Sequence, residues 1–171
     1  MRMPFDLNIF RKPLAAVLAV IGVSIIGIVV MAAVASPPPQ PAMSLEQAVR
    51  EGNTEQVKAA LYWAKDRQAA VRPLDGSGMT SLHLAAEKGH VEVAAALLDA
   101  RCPVNAQTSD GTTPLHLAAA GGHKTLAALL LSRGADVSIK NKKGRTPADV
   151  ASANRRTETT KLLSDNTPTK E

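Results

Sequence analysis

Four histidines, one cysteine and a short run of cations are the residues of this 171-residue chain best suited to chemistry. His83 and His116 are spaced 33 apart, and so are His90 and His123. Paired imidazoles can bind zinc, but a zinc site takes three or four ligands at close spacing. Cys102 is the single cysteine, and no carboxylate pattern accompanies the histidines. Structural hydrogen bonding is therefore the expected role of all four. The lone Cys102 excludes an internal disulfide and a multi-cysteine zinc site. With no helix start facing it, it reads as a small buried apolar residue rather than a reactive thiol.

Nucleophilic and phosphate-binding motifs fail on spacing. Gly76-Ser77-Gly78 lacks the G-x-S-x-G of a nucleophile elbow. Gly121-Gly122-His123-Lys124-Thr125 lacks the upstream glycine of a P-loop. No asparagine has Ser or Thr two residues on, so nothing supports N-glycosylation. Neither enzyme activity nor a cofactor is expected. Aromatics make up 2% of the chain, too few for a base-stacking platform. A formal net charge of +5 is mild for a nucleic-acid binder, and no nucleic-acid partner is expected. The core must be built from leucine, valine and alanine.

The histidines sit in a longer pattern that positions them. Thr80-Ser81-Leu82-His83-Leu84-Ala85-Ala86 returns as Thr113-Pro114-Leu115-His116-Leu117-Ala118-Ala119, and Thr146-Pro147-Ala148-Asp149-Val150-Ala151 follows. Successive threonines are again 33 apart (113 − 80 and 146 − 113), and a fixed period of about 20–50 residues marks stacked repeats. Threonine can cap a helix by accepting from an amide of its first turn. Proline at the first helical position loses nothing by lacking an N–H. Gly89 and Gly122 end the helix where a positive φ is needed. Val91–Leu98 and Lys124–Leu131 supply a second, more apolar helix. Gly134-Ala135-Asp136-Val137 leads out, and Asp110-Gly111 and Lys143-Gly144 turn into the next threonine.

Over about residues 44–164 this period and the TPLHLAA..GH pattern resemble the ankyrin repeat. The resemblance implies an all-α solenoid of helix-turn-helix units whose loops project as β-hairpin fingers. It also implies histidines that bridge loops of neighbouring units, and a concave groove that binds another protein. Four units are expected, at 44–79, 80–112, 113–145 and 146–164, the outer two degenerate because each has an uncovered side. In the first, Met43 stands where the others have threonine, so the cap moves to Ser44 and Gln47 completes a capping box. Thr54–Leu61 is its second helix, and four extra residues fall in the connection Tyr62–Pro73, which bears Lys65, Asp66 and Arg67. In the last unit Asp149 replaces histidine, Asn154-Arg155-Arg156 replaces the residues around glycine, and Thr159 and Thr160 read as a solvated outer face. Arg101 aligns with Gly134, where a left-handed arginine costs about 1 kcal/mol or the turn rearranges. Cys102-Pro103 in place of Ala-Asp adds to the expectation of a reshaped loop. Leu117 and Leu130 are expected to be buried between units. The tail, 165–171, is polar and expected to fray.

The amino-terminal quarter is organised differently. Residues 1–13 carry Arg2, Arg11 and Lys12 against Asp6. Residues 14–35 hold no charge and as a helix would span about 33 Å, against a hydrocarbon core of roughly 30 Å. Ala33-Val34-Ala35 before Ser36 imitates a signal-peptide cleavage site, but the run exceeds the usual apolar length of about 7–15 residues, which favours an uncleaved transmembrane anchor. Cations abut only its amino end, so the amino terminus is expected in the cytoplasm and the repeats outside it, in the periplasm if the source is bacterial. Residues 36–43 form a proline-rich stalk of roughly 25 Å. Gly22 and Gly27 do not have the four-residue spacing of paired helices, and a monomeric repeat domain is expected.

What remains is a surface for a protein partner. The outward positions are Ser77 and Met79 on the finger leading into the second unit, Glu87 and Lys88 within it, and Gln107, Ser109, Asp110 and Thr112 on the finger leading into the third. Lys140, Lys142, Lys143 and Arg145 complete the set on the finger leading into the fourth. Asn141 and Gly144 favour a tight turn that would gather the four cations at one tip. A solvated loop, an acidic protein partner and anionic headgroups are the three readings of that tip.

Overall fold

Thr80, Thr113 and Thr146 each hold extended backbone and start a helix, as their spacing requires. The computed structural model describes residues 37–64 and 72–167. Among them are four helix–turn–helix pairs: α1 Leu45–Glu51 and α2 Thr54–Trp63, α3 Ser81–Lys88 and α4 Val91–Asp99, α5 Pro114–Gly121 and α6 Lys124–Ser132, α7 Pro147–Ala153 and α8 Thr157–Asp165. First helices stack on first helices, and second on second. Gly89 at φ 77° and Gly122 at φ 76° end α3 and α5 in the left-handed region expected of them.

Packing follows from side-chain size. Ala85, Ala86, Ala118, Ala119 and Ala151 are fully buried, so the first helices approach closely. Leu82, Leu97, Leu115, Leu126, Leu130 and Leu163 fill the space between units. Truncating one such leucine to alanine costs about 2–5 kcal/mol. Leu130 is buried as expected, but Leu117 is only partly covered. The fourth unit offers Ala148 and Val150 where the third has Leu115 and Leu117, so it covers its neighbour less. Thr159 lies on the buried face at the position of Val93 and Leu126 and is 1% exposed, so the outer face of α8 is narrower than expected.

Further expectations change in detail. No strand forms among the described residues, so the fingers are not β-hairpins. The finger before α5 closes with Thr108 N–H donating to the Thr112 carbonyl at 3.0 Å, and the one before α7 with Asn141 N–H to Arg145 at 3.0 Å. Tips this short leave no residues for a longer ladder. Adjacent fingers are tied by Ser109 N–H to the Ser77 carbonyl (2.7 Å) and Lys142 N–H to the Asp110 carbonyl (2.8 Å). Ser44 caps α1 by accepting from Gln47 N–H at 3.2 Å, but the Gln47 side chain turns forward to Glu51 at 2.9 Å rather than back. The second helix of the first unit runs on to Trp63. Residues 65–71 of the connection, the segment 1–36 with the expected anchor, and 168–171 lie outside the described residues. Among those described, no helix is long and apolar enough to cross a membrane.

Arg101 keeps the turn and takes the strain. Its φ is 66°, and Cys102 N–H bonds the Leu97 carbonyl just as Ala135 N–H bonds Leu130. The left-handed cost of about 1–2 kcal/mol is accepted rather than avoided.

Ser81 stands where the next two units have proline. It is fully buried, and its hydroxyl has no hydrogen-bond partner. Thr80 (φ −98°, ψ 168°) has nearly the torsions of Thr113 (φ −97°, ψ 165°), which precedes Pro114. Ser81→Pro should therefore stabilise the domain by about 1 kcal/mol, through unfolded-state entropy and loss of the orphan hydroxyl. Thermal unfolding should rise by about 3–5 °C; a fall would mean that the ring overpacks against the first unit.

Candidate functional site

The surface on the finger side is only as well defined as the bonds that hold its loops, and these are made by histidine. His83 Nε2 bonds the Thr112 carbonyl at 3.1 Å, and His116 Nε2 bonds the Arg145 carbonyl at 3.0 Å. A carbonyl can only accept, so Nε2 carries the proton in both rings. The free Nδ1 then accepts from the unit's own threonine: from Thr80 N–H (3.2 Å) and hydroxyl (2.9 Å), and from Thr113 N–H (3.2 Å) and hydroxyl (2.8 Å). Each ring thus closes a capping box on its own helix and reaches forward to the next finger. Both histidines are buried, and desolvation holds their pKa values below the usual imidazole range, partly offset by the carbonyl each one bonds.

A second set of bridges runs backward. His90 Nε2 bonds the Arg50 carbonyl at 3.3 Å, His123 Nε2 the Glu87 carbonyl at 3.2 Å, and Arg156 Nε the Ala120 carbonyl at 3.3 Å. The His123 ring lies against Gly89 so closely that a Cβ there would stand 2.7 Å from it; at Gly122 the Arg156 stem would be 2.6 Å away. Ion pairs Arg133–Asp99 (2.8 Å) and Lys124–Glu158 (2.9 Å) join the second helices of adjacent units. Among the described residues no His, Cys, Asp and Glu side chains gather into a group that could hold a metal. Cys102 is buried, and burial pushes its thiol up to about 11.

The outward residues divide by exposure. Glu87 and Lys88 at the end of α3 are exposed, as are Gln107, Ser109 and Asp110 on the finger before α5. Ser77, Met79 and Thr112 are half-buried, their carbonyls engaged by Ser109, Leu74 and His83. In the third unit Ala120 and Gly121 occupy the positions of Glu87 and Lys88, so the groove floor there is nearly bare.

The four cations do not share one tip. Gly144 N–H bonds the Asn141 carbonyl at 2.8 Å, which puts Lys142 and Lys143 at the apex of the turn. Lys140 and Arg145 flank its base, and both act on Asp149. The Asp149 carboxyl is held below its usual range first by the Thr146 N–H and hydroxyl and then by these cations. Arg145 is half-buried and, with Asp110, Thr112, Asn141, Lys142 and Lys143, lines a cleft of about 190 Å³ between the last two fingers.

One feature escaped the sequence reading. Tyr62 (61% exposed) and Trp63 (41%) end α2 in a T-shaped pair, centroids 5.6 Å apart, beside a cleft of about 330 Å³ lined by Leu61, Ala96 and Ala100. A Tyr-Trp dipeptide in a chain so poor in aromatics was the signal that could have marked it.

The family model described as ankyrin repeats (3 copies) matches this chain over residues 45–141 and again over 102–170. No curated protein matches it.

The histidine bridges make stability depend on pH. In the unfolded chain both rings titrate near 6.5, and folded they titrate lower, so the unfolded state binds more protons as pH falls. Stability is fully present above about pH 6.5 and is lost progressively below it. Protonating Nδ1 would also set a donor against the threonine N–H. Urea midpoints should fall between pH 7.5 and 5.5, and replacing His83 and His116 by Asn should flatten that slope while lowering the midpoint at pH 7.5. An unchanged slope in the double variant would refute the assignment.

Proposed function

The chain belongs to the ankyrin-repeat family, and we propose that it is a non-enzymatic protein-binding module tethered to a membrane with its repeats on the extracytoplasmic side. The observation that carries the binding role is a row of exposed side chains on a scaffold locked from unit to unit. Glu87, Lys88, Gln107, Ser109, Asp110, Lys142 and Lys143 project from fingers and helix ends whose backbones are fixed by inter-unit bonds. Binding residues gain precision when a rigid framework presents them. Ser77, Met79, Thr112 and Arg145 form the half-covered border of the same face, and the exposed Lys140 stands beside Arg145 at the base of the last finger.

Tethering is supported by the uncharged run 14–35 and the Arg11-Lys12 flank at its amino end. A second reading, favoured by Ala33-Val34-Ala35 before Ser36, removes that run and leaves a secreted or periplasmic binder. In either form the partner can be an enzyme that the repeats regulate or protect.

Carbonate-washed membranes should retain the intact chain; a soluble species beginning at Ser36 would establish the cleaved form instead. For the docking face, Glu87, Lys88, Gln107, Ser109 and Asp110 are replaced together by alanine. Cross-linking in membranes followed by mass spectrometry should then lose a specific partner that survives replacement of Glu92, Thr125 and Ala128 on the second helices. Loss from the second set alone would put the docking surface on the opposite side.

A further inference from the structure

Arg145 is held unusually firmly for a surface arginine. Its N–H donates to Asn141 Oδ1 at 3.1 Å, and its carbonyl accepts from Asn141 N–H and from His116 Nε2, each at 3.0 Å. The side chain starts from this fixed base and enters the cleft between the last two fingers. Its Nε is buried and has no hydrogen-bond partner. Native structures rarely leave such a donor without an acceptor, because desolvating it is costly. Asn141 Oδ1 is already engaged by Lys143 N–H and Arg145 N–H. Asp110 is the one acid in the lining, against three cations.

We propose that this cleft binds a carboxylate side chain from an acidic segment of the partner protein, with Arg145 as the anchor and Lys142 and Lys143 as flanking cations. The proposal rests on reading this face as a protein-docking surface. A guanidinium meets a carboxylate through two parallel N–H donors, and a turn of the half-buried Arg145 side chain within the cleft would bring its unpartnered Nε into that fork. The cleft, at about 190 Å³, suits a side chain rather than a helix. A bilayer would be met differently. Its headgroups would reach Lys142 and Lys143 at the turn apex, whereas Arg145 stands half-buried at the base of the turn, where a single side chain fits and a flat surface does not. An extended acidic segment can lay one side chain into the cleft while its neighbours pass the two lysines.

The test uses the full-length chain in zwitterionic detergent and a fluorescein-labelled octaglutamate peptide, followed by anisotropy at physiological salt. Arg145→Gln should weaken binding by about tenfold or more, the loss of one charge-assisted contact. Arg145→Lys should recover only part of this, because a lysine keeps the charge without the fork. Lys142→Gln with Lys143→Gln should weaken binding less than Arg145→Gln. As a control, Arg155→Gln with Lys161→Gln removes two charges from the other cationic cleft of the fourth unit, lined also by Ser152 and Thr157, and should change affinity by less than about twofold.

Circular dichroism checks each variant, and if Arg145→Gln loses helix, Arg145→Lys is read in its place. Absence of wild-type binding overturns the proposal, as does an equal loss from Arg145→Gln and the control pair, which would mean general charge attraction. Vesicles of phosphatidylglycerol and phosphatidylcholine that lose the chain on Lys142/Lys143 replacement, with peptide binding unmoved by any variant, would make the patch a membrane contact. If peptide binding fails while alanine replacement of Glu87, Lys88, Gln107, Ser109 and Asp110 still abolishes partner cross-linking, the docking reading stands and only this ligand assignment falls.

Discussion

A neutral imidazole donating one hydrogen bond to a backbone carbonyl of the finger that leads into the next unit is the interaction on which this structure turns. Through His83 and His116, a helix start and the following finger become one rigid object. Without it, the fingers before α5 and α7 would keep the bonds within each turn and those between adjacent fingers, but would lose their tie to the preceding helix start. The ring must be buried to reach that carbonyl, and it must be uncharged to keep Nδ1 as an acceptor. The geometry of the exposed face therefore depends on the protonation of a residue that the face never shows.

The same logic explains which residues replace histidine at the ends. Asn53 holds the position of His90, His123 and Arg156, but among the described residues no unit precedes it in the stack. It turns to its own helix and caps Gln56 N–H at 3.1 Å. Asp149 holds the position of His83 and His116, but among the described residues no finger follows it. A carboxylate that only accepts is sufficient there, taking the Thr146 N–H and hydroxyl at 2.8 Å each. Arg155 takes the left-handed position filled by Gly89 and Gly122, at φ 58°, where no further ring needs the space beside it.

Features set by a residue and its immediate neighbours were legible in the sequence. The threonine caps, Pro114, Gly89 and Gly122 follow from the sequence because cap and turn chemistry is local. The direction of a long side chain does not. Gln47 had two partners within reach, and the carboxylate of Glu51 won over the backbone amide behind it. Leu84 and Leu117 occupy the same place in seven-residue stretches that differ only at Ser81 and Pro114, yet only Leu84 is buried. The difference lies in the next unit, which supplies Leu117 to one and the smaller Val150 to the other. Of the candidate site, the residue types were readable and the grouping was not. Lys140, Lys142, Lys143 and Arg145 are close in sequence, but Asn141 makes a turn that divides them between an apex and its base.

The first unit carries Glu46 where the others have the forward-reaching histidine or its aspartate substitute, and Glu46 spends its carboxylate on Arg50 at 2.7 Å. The Met79 carbonyl of the next finger is taken instead by Leu74 N–H at 2.6 Å. The seam between the first two units consequently relies on the backward His90 bridge and apolar contact. In a stack where each unit is stabilised chiefly by its neighbours, loosening starts at the weakest seam. A pull applied between the amino end and the last fingers would load that seam in series with stronger ones. It would yield first, lengthening the reach of the chain while the later units stayed folded.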